Sequence, residues 1–141
     1  MLTCYVRRGD YPGADGWRLL EWCMRRGADE FSLEFLGPPY LPRTEWARMD
    51  ELLAPFRRRV ASAGDRWLLN GETFAVLREM MADGPFGFAP GTSSLEDLTV
   101  FRGGGAMLRV VTRDGLGILQ LRDDEGPSLE RAGLPHHLRA V

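Results

Sequence analysis

The chain has 141 residues, of which 44% are hydrophobic and 27% charged, with a formal net charge of −2. Its length falls within the ~100–200 residues of a single domain, so residues 1–141 are read as one α+β unit. The balance of apolar and charged residues excludes a disordered or collagenous chain and a polybasic binder, and two cysteines exclude a disulfide scaffold.

All 18 basic residues are Arg, and Asn70, Gln120 and Ile118 are the sole residues of their types, beside 17 Gly and 9 Pro. Lys, Asn and Ile have A/T-rich codons and Arg, Gly and Pro G/C-rich ones, which points to a GC-rich, bacterial genome. The first residues, Met1 to Arg8, lack the basic, apolar and small-residue succession of a signal peptide. No run approaches the ~18 apolar residues of a membrane span. The expected setting is cytoplasmic, with Cys4 and Cys23 as small buried hydrophobes.

Leu2, Cys4 and Val6 alternate with Thr3, Tyr5 and Arg7, the period of a strand with one buried face. Asp15 is placed to cap a helix over 16–26 that Gly27 ends, with Trp17, Leu20 and Met24 on its apolar side. Phe31, Leu33 and Phe35 predict a second strand, closed by Gly37-Pro38-Pro39. Trp46, Met49, Leu53, Phe56, Val60 and Ala63 recur at three- and four-residue spacing. That predicts one long helix over 42–63, kinked near Leu52 because Pro55 removes a backbone donor. Residues 65–69 read as a short strand or linker. A third helix starts at Asn70 or Gly71 and stops at Gly84-Pro85, and residues 85–95 have loop composition.

The last third predicts a three-stranded β-meander over 97–122. Asp114-Gly115 is a two-residue hairpin signal that pairs Val110 with Leu119, Leu108 with Leu121 and Val111 with Ile118. Gly103-Gly104-Gly105 reads as a three-residue turn pairing Val100 with Leu108 and Phe101 with Met107. Both turns place Leu98, Val100, Leu108, Val110, Leu119 and Leu121 on one apolar face. A short helix over 127–132 follows, ended by Gly133. The expected fold is α+β, with helices packed on a mostly antiparallel sheet.

The other meander face carries Phe101, Met107, Arg109, Val111, Arg113 and Ile118, a mixture of aromatic, aliphatic and Arg that suits the centre of a protein interface. Competing readings are a covering helix, a second copy of the chain, or plain half-wet sheet. Phe86 and Phe88 in the 85–95 loop form a second candidate surface, unless they plug the core. Arg57-Arg58-Arg59 reads as a solvated helix face, because the overall charge leaves no basic excess for nucleic acid.

Residue patterns for chemistry are sparse. His136-His137 lack a ligand at i+3 or i+4, and Asp123-Asp124-Glu125 lacks a calcium-loop spacing, so a polar, flexible tail is expected. Ser93-Ser94 has no nucleophile-elbow frame, and Gly103-Gly104-Gly105 precedes a strand with no Lys. No catalytic residue, cofactor or metal is assigned. The expectation is a non-enzymatic cytoplasmic module that neutralises or regulates a partner protein, in the manner of an immunity protein. It is expected to contact neither nucleic acid nor membrane, and homo-oligomers would form through the second meander face. The alternative is a small-molecule sensor or enzyme with a pocket lined by Trp17, Trp22, Trp46, Trp67 and Arg side chains.

Overall fold

The computed structural model describes residues 1–35, 43–60, 64–81, 83–86 and 95–140. They form an α+β structure: seven strands in one antiparallel sheet, with four helices. The strands are β1 (Leu2–Arg7), β2 (Glu30–Phe35), β3 (Arg57–Val60), β4 (Gly64–Leu68), β5 (Leu95–Arg102), β6 (Gly105–Val111) and β7 (Leu116–Leu121). The helices are α1 (Trp17–Arg25), α2 (Arg43–Leu53), α3 (Gly71–Met80) and α4 (Gly126–Arg131). Across the sheet the order is β1-β7-β6-β5-β2-β4-β3. The meander β5–β7 is therefore flanked by strands from the other end of the chain.

All four helices bury their apolar residues in one core with the same side of the strands. Trp17, Leu20 and Cys23 of α1, Met49 and Leu53 of α2, Phe74 and Leu77 of α3 and Leu129 of α4 join Cys4, Phe31, Trp67, Val100, Leu108 and Leu119. The opposite side is different: among the described residues, none of its strand side chains is buried. The described residues thus form a helical layer on one face of a sheet and leave its other face open.

Several expectations change. The long helix over 42–63 ends at Leu53; Ala54–Phe56 form a 3₁₀ turn and 57–60 become β3. Pro55 sits near the start of that turn, where its missing N–H costs nothing. Beyond it, pairing with β4, Arg57 to Trp67 and Arg58 to Arg66, decides the backbone. A tertiary partner has overridden the local helical period. The Arg57-Arg58-Arg59 run therefore lies on an edge strand, where charged side chains oppose further strand pairing. Helix α1 follows a 3₁₀ turn and starts at Trp17 without a side-chain cap from Asp15. By contrast Asn70 caps α3 as expected, its Oδ1 accepting from the Glu72 and Thr73 N–H groups at 3.0 Å.

Both meander turns differ from the expected ones while the face assignment survives. The β6–β7 loop has four residues, Thr112 to Gly115, with Gly115 at φ +60°. The register is Leu108 to Leu119 and Val110 to Gly117, two residues from the expected one. A shift of two keeps every side chain on its side, because the strand period is two. Thr112 is the cause: it leaves the ladder to exchange hydrogen bonds with Asp97, 3.1 Å through its N–H and 2.9 Å through its hydroxyl. The β5–β6 turn uses two residues, Gly103 and Gly104, both at positive φ, and pairs Phe101 with Ala106. Met107 is then the extra residue of a β-bulge and turns into the core at 2% exposure.

The C-terminal segment is docked. The His137 N–H and carbonyl pair with Tyr5 on the β1 edge at 2.7 Å each, and its Nε2 lies 2.8 Å from an Asp10 carboxylate oxygen. The Tyr11 hydroxyl donates to the Pro135 carbonyl at 2.7 Å, and Leu134 is buried. The expected flexible tail is thus replaced by a strap.

Candidate functional site

The open face is assembled by the strand order, one residue from each strand per row. The strand pairings align Tyr5, Ile118, Arg109, Thr99 and Ser32 across β1, β7, β6, β5 and β2. A parallel row places Arg7 beside Leu116 and Leu116 beside Val111. Tyr5, Val111, Leu116 and Ile118 are half-buried by their neighbours, and Arg109 is exposed.

Across β5, β2 and β4 the face carries its own ion pairs. Arg66 stacks over the Phe101 ring with its guanidinium carbon 3.7 Å from the centroid, and Glu30 lies 3.5 Å from Arg58 and 3.9 Å from Arg66. In a half-dry site such stacking orients both groups.

Of the side chains singled out in the sequence, Phe101, Arg109, Val111 and Ile118 lie together on this face. Arg113 lies on the adjoining loop and is exposed. Met107 is withdrawn by the bulge. Phe86 is also withdrawn: it is 2% exposed and stacks on Tyr11 with centroids 5.7 Å apart. A Cβ at Gly117 would lie 3.2 Å from the Phe86 ring, so the absent side chain leaves the space the ring occupies. The Phe86 carbonyl accepts from the Arg8 Nε at 3.2 Å, which fixes the segment. Phe88, Ser93 and Ser94 lie outside the described residues. The sequence pattern missed Tyr5 and Arg7, because their membership of the face depends on β1 pairing with β7 rather than on any local signal.

A second charged feature lies on the helical side. Glu125 is fully buried and accepts from both Arg102 terminal nitrogens at 2.8 Å, from the Arg26 Nε at 2.9 Å and from the Arg122 N–H at 2.8 Å. The Arg102 pair, aided by the Arg122 N–H and Arg26, outweighs burial and holds the carboxyl at about 2. The same pairing raises Arg102. Every lone-pair direction of the carboxylate is occupied, so the cluster ties α1, β5 and α4 together and offers no free acid or base. The sequence had placed Glu125 in the polar tail.

The thiols are equally committed to packing. Burial pushes Cys23 up to about 12 and raises Cys4, so neither is a thiolate near neutral pH. Among the described residues no cluster of His, Cys, Asp and Glu could hold a metal ion, and no helix is long and apolar enough to cross a membrane.

Of the Trp residues in the alternative reading, Trp17 and Trp67 border separate cavities, Trp17 beside Arg78 and Trp67 beside Arg57. Trp17, Trp22 and Trp67 are core residues, and the Trp46 side chain lies outside the description. Trp67 does border a cavity of about 350 Å³ with Leu33, Met49, Leu53 and Arg57. Its Arg57 is already paired with Asp50 at 2.7 Å. A larger concavity of about 720 Å³ lies beside Arg102, Met107, Leu121 and Arg122. Met107 and Leu121 in its lining are buried, and Met1, Gln120 and Asp123 also border it.

No protein-family model matches the chain, and no curated protein or solved structure is similar to it.

Proposed function

We propose that the chain is a non-enzymatic protein-binding module of a bacterial cytoplasm, which neutralises or regulates a partner through the open face of its sheet. One observation carries the reading. A seven-stranded sheet has all its described helices packed into one core with one face, while the other displays Tyr5, Phe101, Val111, Leu116 and Ile118 among Arg side chains. Antiparallel sheets tolerate a wet face, but such a face is ordinarily polar, with hydrophobic residues confined to the core side. Aromatic, aliphatic and Arg side chains in one patch are the composition of an interface centre.

The test is co-purification from the source cell at native expression, with the wild-type chain against Ile118→Asp. A protein that accompanies the wild type and is lost with Ile118→Asp, while the variant keeps its melting temperature, supports the reading. A companion retained by the variant, or no companion, sinks it.

A further inference from the structure

The open face is electrostatically divided. The three strands β1, β7 and β6 contain no carboxylate at all: their sequences are LTCYVR, LGILQL and GAMLRVV. Their two charged residues, Arg7 and Arg109, both belong to the open side. Neither has an ion-pair partner among the described residues. The other half behaves differently, since Arg58 and Arg66 there share Glu30 and Glu34 is exposed.

The unpaired half has a definite layout. One row reads Arg7, Leu116, Val111 and the next reads Tyr5, Ile118, Arg109. Arg7 and Arg109 thus occupy opposite corners of a block of six residues, with one aromatic and three aliphatic residues between them. Two strand spacings across and two residues along put those corners roughly 12 Å apart.

We propose that this half of the face docks an acidic partner protein, one whose surface presents carboxylates on either side of an apolar patch. The inference rests on the protein-binding reading and specifies its partner. A guanidinium fork pairs a carboxylate bidentately, and the desolvated apolar centre strengthens such pairs. Nucleic acid fits less well, because two Arg around an apolar centre neutralise few phosphates and the chain is net negative. A second copy meeting the same patch brings no carboxylate from β1, β7 or β6 to face these Arg residues.

The experiment places the photo-crosslinker p-benzoylphenylalanine at Gln120, on the open face, and in a control at Glu21, exposed on α1. The full-length chain is irradiated in the source cell. The expected result is a protein adduct at 120 and none at 21, with Asp or Glu in the crosslinked peptide. The adduct partner is then purified, and its affinity measured against wild type and against the double variant Arg7→Glu with Arg109→Glu. Affinity is expected to fall about 30-fold or more, with unchanged melting temperature, and to recover when the partner's carboxylates are changed to Lys. A protein adduct at 120 whose affinity ignores the double variant overturns the acidic partner while leaving the protein-binding reading standing. No adduct at 120 above the control, or one formed by nucleic acid or by the chain itself, overturns both.

Discussion

The two faces of the sheet are made by alternate residues of the same strands, and they treat charge in opposite ways. On the covered face the fully buried strand side chains are apolar, and the one buried carboxylate among the described residues, Glu125, is matched by Arg102 of β5, by Arg26 and by the Arg122 N–H. On the open face, among the described residues, Arg7 and Arg109 have no carboxylate within ion-pair distance, although Glu34 and Asp97 border the same hollow as Arg109 and Asp114 borders that of Arg7. Buried charge is tolerated where it is neutralised, because desolvation is costly; half-exposed charge can stay unpaired because water still reaches part of it. An unpaired charge is what a partner can use.

The sharpest way to break this contrast is at Glu125. Glu125→Ala should destabilise by about 3–5 kcal/mol, because it leaves Arg102 buried without its counter-charge; urea unfolding at pH 7 measures it. A loss under ~1 kcal/mol would mean that the cluster is not what ties the helical layer down. The pH dependence follows from the same group. Its folded pKa, about 2, lies below the ordinary 4.5, so its stabilisation is complete above about 4.5 and is lost as pH falls through about 2. The corresponding loss is roughly 3 kcal/mol, and Glu125→Gln should remove that part of the acid dependence.

Adjacent residues of β7 offer a closer comparison. A Cβ at Gly117 would meet the Val6 Cγ2 at 2.5 Å as well as the Phe86 ring. Gly117→Ala should therefore cost about 1–3 kcal/mol by overpacking. One residue on, Ile118→Asp should cost less than about 1 kcal/mol, because the side chain is not fully enclosed. Thermal unfolding of the pair tests the contrast directly: equal costs would mean that the open face is covered by something within the chain. Between these lies Asn70→Ala, which removes the cap of α3 and should cost about 1 kcal/mol, measured by the same unfolding series.

Local pattern carried much of this. The alternation in 97–122 assigned Leu98, Val100, Leu108, Val110, Leu119 and Leu121 to the core correctly, even though one turn was longer and the other shorter than expected. Face assignment tolerates an even register error, so a strand's period is enough. It fails where one residue is inserted, and Met107 in its bulge is the case in point. The candidate surface was accordingly half visible: Phe101, Arg109, Val111 and Ile118 follow from alternation, whereas Phe86 needed the space above Gly117 to be seen as core.

By itself, then, the chain determined its α+β content, the capped start of α3 at Asn70, and the two sides of the meander, because each depends on periods and caps spanning fewer than about ten residues. Tertiary structure alone decided that 57–60 become a strand, that β1 closes on β7 across more than a hundred residues, and that Glu125 and His137 are docked rather than loose. These outcomes depend on which surface or counter-charge a segment meets after the chain has closed, and local propensity differs by too little to choose among them.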